Sequence, residues 1–220
     1  MTTQRSLARV EATNENANRV LSLITDLIFV SIATSLLVGY ARTLVFRPVT
    51  LLVIMREVFL AVYLLMGLAF LAVRRSARVL TSRKRDYLYT ILGFGSPLLF
   101  QSSPFGGTIL IGALLEASGL AFVASAFLCL NRSFGLAPEN RGVKTAGAYS
   151  LVRHPMYLGY ILAEAGFVFD NFSNFNLFVL MISVLFLLLR LGAEEQFLGR
   201  DRDYRDYSRK TRWKLIPFIY

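Results

Sequence analysis

Long apolar runs separated by short basic stretches are the feature that most constrains how this chain can fold. Six such runs fit within its 220 residues. Their approximate bounds are 20–40, 49–73, 86–101, 106–130, 155–169 and 175–191. Because about 20 apolar residues cross a bilayer as a helix, we predict an all-α, polytopic integral membrane bundle of about six spans. The third and fifth runs are short, so each is expected to be tilted, incomplete or part of a re-entrant hairpin.

Basic residues are distributed unevenly between the loops of this predicted bundle. With the N-terminus inside and six spans following, all but three of the 24 Lys and Arg residues fall on the inner side. Arg42 and Arg47 fall outside, and Arg56 lies within the second run. Since positively charged loops stay in the cytoplasm, we predict cytoplasmic N and C termini in a bacterial inner membrane. This placement argues against nucleic-acid binding as the reason for the net charge of +10.

Cysteine and histidine are too scarce for two common kinds of site. Cys129 and His154 are the single residues of their types. No intramolecular disulfide or Cys/His zinc site can be built from them, and we expect no metal. The chain also changes character along its length. Residues 1–130 read as transmembrane helices, and residues 131–220 alternate apolar helix with polar motifs, so we predict one structural domain with two parts.

Ionisable residues inside the apolar runs are candidates for function, because charge within a bilayer is costly. The alternative interpretation is that they pair with each other, and Asp26 with Arg56 is one expected pair. Glu164 is the exception that we favour for function, since it lies ten residues after His154 on one predicted helix. The remaining two are Glu57 and Glu116.

The stretch GAYSLVRHPMYLGY (147–160) stands where a polar loop gives way to an apolar run. Pro155 suits the first turn of a helix, which places His154 at or near the N-cap. Exposed N–H groups there attract carboxylates, and Arg153 adds positive charge. A second interpretation is an interfacial anchor, with arginine on headgroups and tyrosines in the aromatic belt.

A second polar cluster, RLGAEEQFL (190–198), ends the sixth run. Arg190 and Glu194 are four residues apart and share a face if the helix continues. They can form a simple salt bridge before a solvated amphipathic tail, or they can face a ligand. The short turn DNFSN between the last two runs predicts a helical hairpin whose cytoplasmic ends are neighbours. Together those ends would form a polar pocket for a zwitterionic ligand with an aromatic base.

These motifs resemble the isoprenylcysteine carboxyl methyltransferases and, more widely, phospholipid N-methyltransferases and NnrU-like membrane proteins. The matching elements are TAGAYSLVRHPMYLG (145–159), RLGAEEQFL (190–198), YRDY (204–207) and LIPF (215–218). The resemblance implies an S-adenosyl-L-methionine-dependent enzyme with a lipophilic or lipid acceptor. It implies cofactor contacts from Val143, Lys144, Tyr149, Arg153, His154, Pro155, Met156, Tyr157 and Glu194.

The resemblance also implies roles for individual side chains. Glu194 suits the ammonium of the cofactor, and the His154 helix start suits its carboxylate. Arg190 matches the arginine that orients the acceptor, which for a carboxylate needs no general base. An amine acceptor would require a general base, for which Glu164 and Glu195 are the candidates.

The acceptor itself stays open on sequence grounds. The family's usual Phe-Gly step before the tyrosine pair is replaced here by GRDRD (199–203), in a segment that looks about two residues shorter. A prenylcysteine-like carboxylate and a phospholipid-type amine are both compatible with the motifs. So are two different functions, those of an NADPH-dependent membrane reductase of related fold and of a non-catalytic membrane protein. The acid pair disfavours the reductase, because a phosphate-rich dinucleotide would want more cations.

Overall fold

The computed structural model describes residues 2–46, 51–75, 77, 79–101 and 109–220. These residues form eight α-helices and one two-stranded sheet. The helices are α1 (Thr2–Phe46), α2 (Leu51–Val73), α3 (Lys84–Gly95), α4 (Leu110–Leu130), α5 (Ala148–Leu151), α6 (Pro155–Asp170), α7 (Asn174–Leu198) and α8 (Arg202–Lys210). Strands β1 (Val79–Leu80) and β2 (Glu139–Asn140) pair antiparallel. The predicted all-α class is confirmed, apart from this short ladder.

Within the described residues, three helical stretches are long and apolar enough to cross a bilayer. They are Asn16–Gly39, Leu110–Ser133 and Asn174–Leu198. Helix α3 has 12 residues and α6 has 16, which gives lengths of about 18 and 24 Å. The count of six spans therefore stays a prediction. Positions 49–50 of the second predicted run and 106–108 of the fourth lie outside the described residues.

Helices α4 and α6 form the closest contact between long helices in the described part of the fold. Their backbones meet at Gly119 and Gly159, where a Cβ added to Gly159 would lie 2.6 Å from the Gly119 carbonyl oxygen. Only glycine permits this approach, and small residues at helix contacts are typical of membrane bundles. As a result α6 packs more extensively on α4 than on α7, its neighbour in sequence. The predicted hairpin exists, but much of its support comes from α4.

Replacing Gly159 with alanine will destabilise the protein by about 1–3 kcal/mol, because the new methyl group forces tightly packed backbones apart. Gly192→Ala is the matched control on α7, where an added Cβ meets no atom of the described residues within 4 Å. That change should be neutral or stabilising, since alanine favours a helix by about 1 kcal/mol over glycine. Thermal unfolding in detergent checks both variants. Equal melting temperatures for the two would contradict the close contact.

The basic loops gather at one end of the bundle. The Tyr87 hydroxyl donates to the Asn18 carbonyl at 3.3 Å, and the Arg75 N–H donates to the Arg132 carbonyl at 2.8 Å. Thus the α1 span start, the α2–α3 connection and the α4–α5 connection share one end, which we name the basic end. This grouping agrees with the predicted segregation of charge. Which side of a membrane this end faces stays a prediction, and Arg47 and Arg78 lie outside the described residues.

The opposite end is closed by buried side-chain amides and carboxylates. Asn176 is 1% exposed and hydrogen-bonds both backbone groups of Gln101, at 2.8 and 3.0 Å. Asp170, at the end of α6, accepts from the Ile109 N–H at 2.9 Å before α4 begins. Ser173 caps α7 through the Asn176 N–H. These bonds satisfy backbone groups at helix termini and fix the turn between α6 and α7.

Asp26 forms an ion pair that was not predicted, with Arg74 at the end of α2. The side chains of Arg56 and Glu57 lie outside the described residues, so the expected pair of Asp26 with Arg56 stays a prediction. Arg74 also approaches Glu139 of β2 at 3.6 Å. The charge inside the α1 span is therefore tied to the loop segment that carries β2.

Candidate active site

A cavity at the basic end collects side chains from four parts of the chain. Its walls come from a loop at residues 133–144, which we name the cavity loop, and from α5–α6, the end of α7, and α8. The space between these walls, counted out into the open solvent at the mouth, is about 770 Å³.

Helix α7 presents Arg190 and Glu194 to this cavity from successive turns. Helix α7 continues without a break to Leu198. This continuation is the condition under which Arg190 and Glu194 share a face. They do not form a simple salt bridge with each other: the Tyr157 hydroxyl donates to Glu194 Oε2 at 2.7 Å. Arg190 instead donates from Nη2 to the Leu136 carbonyl at 2.6 Å.

Arg190 is a buried cation with unused donors. It is 4% exposed, and its guanidinium carbon lies 4.6 Å from the centre of the Phe94 ring and 5.0 Å from that of Tyr157. Within the described residues, Nε and Nη1 have no hydrogen-bond partner. Buried donors are costly to leave unsatisfied. The arrangement suits a ligand that brings acceptor oxygens.

Glu195 connects the two ends of the hairpin. Its Oε1 lies 2.7 Å from His154 Nε2 and accepts from the Tyr204 hydroxyl at 2.6 Å. Its Oε2 accepts from Arg153 Nη1 at 2.6 Å. The predicted meeting of the hairpin ends is confirmed by these contacts. With both oxygens engaged by donors, Glu195 is arranged to hold the motif in place.

Helix α8 forms one wall of the cavity through a pair of tyrosines. Tyr204 and Tyr207 are three residues apart, so they share the buried face of this short amphipathic helix. The Tyr207 hydroxyl donates to the Tyr149 carbonyl at 2.7 Å. Burial, together with neighbouring Glu195, raises the pKa of Tyr204 well above its usual value. Tyr204 therefore remains a hydrogen-bond donor at neutral pH.

The cavity loop is held by buried polar contacts of its own. Arg141 Nη2 lies 2.8 Å from Glu139 Oε2, and both residues line the cavity. Burial raises the pKa of Glu139, an effect that Arg141 and Arg74 oppose. Asn140 donates to Asp201 at 2.6 Å, just before α8. The loop is thus fixed both to the end of α2 and to the α7–α8 turn.

Most of the segment that builds this cavity also matches a known protein family. Residues 106–204 match the phospholipid methyltransferase family. The match confirms the resemblance to membrane methyltransferases seen in the motifs, and it indicates a methyltransferase of the membrane. No curated protein sequence matches the chain.

The match to the phospholipid methyltransferase family begins earlier than the motifs suggested. The resemblance was evident over residues 131–220, whereas the match includes all of α4. The fold gives a reason, because α6 carries the RHP motif and packs chiefly on α4. The helix and the motif therefore form one unit, although the motif-bearing sequence starts only after it.

Most of the residues predicted for the site come together in the cavity. Those that line it are Val143, Lys144, Tyr149, Arg153, His154, Met156, Tyr157, Arg190 and Glu194. Pro155 is buried at the start of α6 and does not line it. Glu195 lies behind the wall, in the contacts described above. Glu164 is ten residues along α6 from His154, about 15 Å away, and does not line the cavity.

Several lining residues were missing from the sequence prediction. Glu139, Asn140 and Arg141 belong to a loop whose turn-forming sequence gives no sign of burial. Tyr204 and Tyr207 carried a recognisable signal, since two tyrosines three residues apart in a charged helix define one apolar face. That spacing would have placed them against the rest of the site.

Replacing Glu195 with glutamine will loosen the contact between α6, α7 and α8. We expect a loss of about 1–3 kcal/mol in stability, because Arg153 loses its ionic partner and one amide cannot replace two accepting oxygens. Proteolysis within residues 199–201 and thermal unfolding measure the effect. Tyr204→Phe removes one of the donors, so the double variant should be less than additive. Strict additivity would show that the two groups do not interact.

Proposed function

We propose that this protein is an S-adenosyl-L-methionine-dependent methyltransferase of the membrane that acts on a lipophilic acceptor. The observation that carries the proposal is one cavity lined by both motif clusters, the His154–Tyr157 turn and the Arg190–Glu194 turn. Both clusters lie within the segment that matches phospholipid methyltransferases. In the described residues no three Cys, His, Asp or Glu side chains converge to hold a metal.

The residues that line the cavity fit the cofactor by charge and shape. Glu194 uses one oxygen for Tyr157 and can accept from an ammonium with the other. Backbone N–H groups in the first turn of α6 favour a carboxylate. Tyr149 and Tyr157 offer aromatic surface to a flat base or a cation. When bound, S-adenosyl-L-methionine supplies an electrophilic methyl group.

What the chain itself would contribute to methyl transfer is chiefly position. Aligning the acceptor with the methyl donor can account for a large part of the reduction in the activation barrier. Tyr204 and Tyr207 on α8 cover one side of the cavity, so they would limit access of water. Glu195 would act as a positioning residue, because it holds His154 and Arg153 at the turn that starts α6.

Different observations favour the two classes of acceptor. Arg190, whose Nε and Nη1 have no hydrogen-bond partner among the described residues, favours a carboxylate such as that of a prenylcysteine-like lipid, since arginine binds carboxylates bidentately. The family match favours the amine of a phospholipid headgroup. An amine requires a proton acceptor, and Glu139, which lines the cavity, is better placed for this than Glu164 or Glu195.

We further propose that the cavity faces the cytoplasm of a bacterial cell. The grouping of basic loops at the cavity end supports this orientation. The membrane helices that surround the cavity would bring membrane lipids to the acceptor side, and no nucleic acid is required as a partner.

Titration of the detergent-purified protein with S-adenosylhomocysteine and with NADPH tests the proposal. Calorimetry should show binding of S-adenosylhomocysteine and none of NADPH. The reverse would indicate a reductase, and binding of neither would indicate a non-catalytic protein. Lipid profiles of deletion and wild-type cells then separate the acceptors. The wild type should contain lipids with one additional methyl group, on either a carboxylate or a headgroup amine.

A further inference from the structure

The segment after α8 forms a closed hook. Residues 212–220, which we name the hook, turn back so that three consecutive N–H groups donate to the Tyr220 carbonyl oxygen. These belong to Lys214, Leu215 and Ile216, at 2.9, 2.8 and 3.1 Å. The Lys214 ammonium also lies 4.2 Å from the centre of the Tyr220 ring. The hook is therefore a defined structure.

The tip of the hook is apolar and faces outward. Phe218 is 86% exposed and Ile219 is 76% exposed. Phe218 has φ +67°, a conformation that is costly for a bulky residue and persists only where its surroundings impose it. Its ring lies 5.3 Å from that of Trp213. Exposed apolar clusters of this kind mark surfaces that bind a partner or a membrane.

The charged side chains of the segment that carries this tip are all basic. Residues 209–220, RKTRWKLIPFIY, contain four cations and no acid. Two of the cations, Arg209 and Lys210, come at the end of α8, and Arg212 and Lys214 lie in the hook itself. Basic residues beside aromatic and aliphatic ones are the composition of segments that lie on anionic bilayers.

Backbone hydrogen bonds hold the hook against the start of α6, at the basic end of the bundle. The N–H groups of Arg153 and His154 donate to the carbonyls of Trp213 and Lys214, each at 2.9 Å. The next residue, Pro155, begins α6, which packs along the candidate span of α4. The hook is therefore at the level where that apolar helix pair meets the basic end, which is the level of a membrane interface.

We propose that the hook docks on the anionic bilayer surface at the basic end. Phe218 and Ile219 enter the boundary between headgroups and acyl chains, and Arg209, Lys210, Arg212 and Lys214 contact lipid phosphates. This interaction surface is separate from methyl transfer. Because the hook holds the Arg153–His154 backbone, docking also fixes the turn that starts α6 relative to the membrane.

Trp213 reports on the hook directly, since it is the single tryptophan of the chain. The protein is reconstituted in vesicles of phosphatidylcholine with phosphatidylglycerol, and tryptophan emission is measured with and without lipids brominated on the acyl chain. Bromolipid should lower the emission at least about twofold, because an interfacial hook reaches about 5–10 Å into the boundary region. Vesicles without phosphatidylglycerol, or with high salt, should show less quenching.

The double variant Phe218→Ser, Ile219→Ser should lose most of this quenching and become accessible to aqueous acrylamide. Phe172→Ser is the matched control, because Phe172 is 67% exposed at the opposite end of the bundle and should leave the signal unchanged. Arg209→Gln with Arg212→Gln should remove the dependence on phosphatidylglycerol.

Three results would overturn the docking of the hook on lipid. The first is equal bromolipid quenching in the hook variant and the wild type, and the second is full access of acrylamide to wild-type Trp213 in vesicles. The third is tryptophan emission that changes only with the protein-to-lipid ratio. The last would indicate contact with a second copy. No methyl transfer is measured, so these outcomes are independent of the proposed enzymatic function.

Discussion

Replacing Glu194 with glutamine will lower the affinity for S-adenosylhomocysteine by about 10- to 100-fold, the effect expected when a hydrogen bond to a charged group is lost. The substitution keeps the shape of the side chain and an acceptor for the Tyr157 hydroxyl, which lies 2.7 Å away. It removes the negative charge that we assign to the cofactor ammonium. Calorimetric titration of the purified protein measures the change.

Asp206→Asn is the matched control for Glu194→Gln. Asp206 is an acid on α8 whose side chain is 56% exposed, and its partner is Arg209 at 3.7 Å. It lies outside the walls of the cavity, so its loss should change the affinity by less than about twofold, as for an exposed pair. If Glu194→Gln binds as tightly as this control, Glu194 does not hold the cofactor.

Replacing Arg190 with methionine will reduce turnover by about 100- to 1,000-fold, the usual effect of removing a preorganised donor from an active site. Methionine retains most of the bulk between the Phe94 and Tyr157 rings but removes the donors on Nε and Nη1. The affinity for S-adenosylhomocysteine should change little. Methyl transfer to the acceptor found by lipid profiling, together with calorimetry, separates the two effects.

Arg202→Gln, an exposed change at the start of α8, controls for the loss of one positive charge. It should leave turnover intact. Arg190→Met also removes the bond to the Leu136 carbonyl, so a displaced cavity loop would weaken cofactor binding as well. Loss of cofactor binding with an unchanged acceptor KM would reverse the role that we assign to Arg190.

Arg190→Met also separates the two acceptor classes. A carboxylate acceptor depends on the guanidinium of Arg190, so Arg190→Met should raise its KM as well as lower turnover. An amine acceptor gains nothing from a cation beside it, and Arg190→Met should then leave KM unchanged or lower it. Kinetics with both lipid classes therefore show which observation, the arginine or the family match, identifies the substrate.

Some of the site followed from sequence spacing alone. A helix places residues four apart on one face, so Arg190 and Glu194 had to point the same way once α7 continued beyond the apolar run. The three-residue connection between α6 and α7 forced His154 and Glu195 toward each other. The relation to membrane methyltransferases was also visible in motif order, and the family match bears it out.

Other features could not be predicted because they depend on which surfaces meet. The sequence analysis assigned Glu194 to the cofactor and Glu195 to a possible base, but it did not show that Glu195 binds His154, Arg153 and Tyr204 while Glu194 faces the cavity. Adjacent residues on a helix point about 100° apart, and only packing decides which direction leads to open space. In the same way, Asp26 is joined to Arg74, a partner chosen by how α1 and α2 pack.

The amino-acid sequence by itself determined the membrane character, the motif-bearing turns and the side chains that could form a polar pocket. Those properties follow from local periodicity, charge and chain length, which need no knowledge of distant contacts. The tertiary structure decided that α4 supports α6 through Gly119 and Gly159, and that Glu139 and α8 complete the walls of the cavity. Contacts between residues far apart in the chain depend on shape complementarity over whole helices, and a linear pattern does not contain that information.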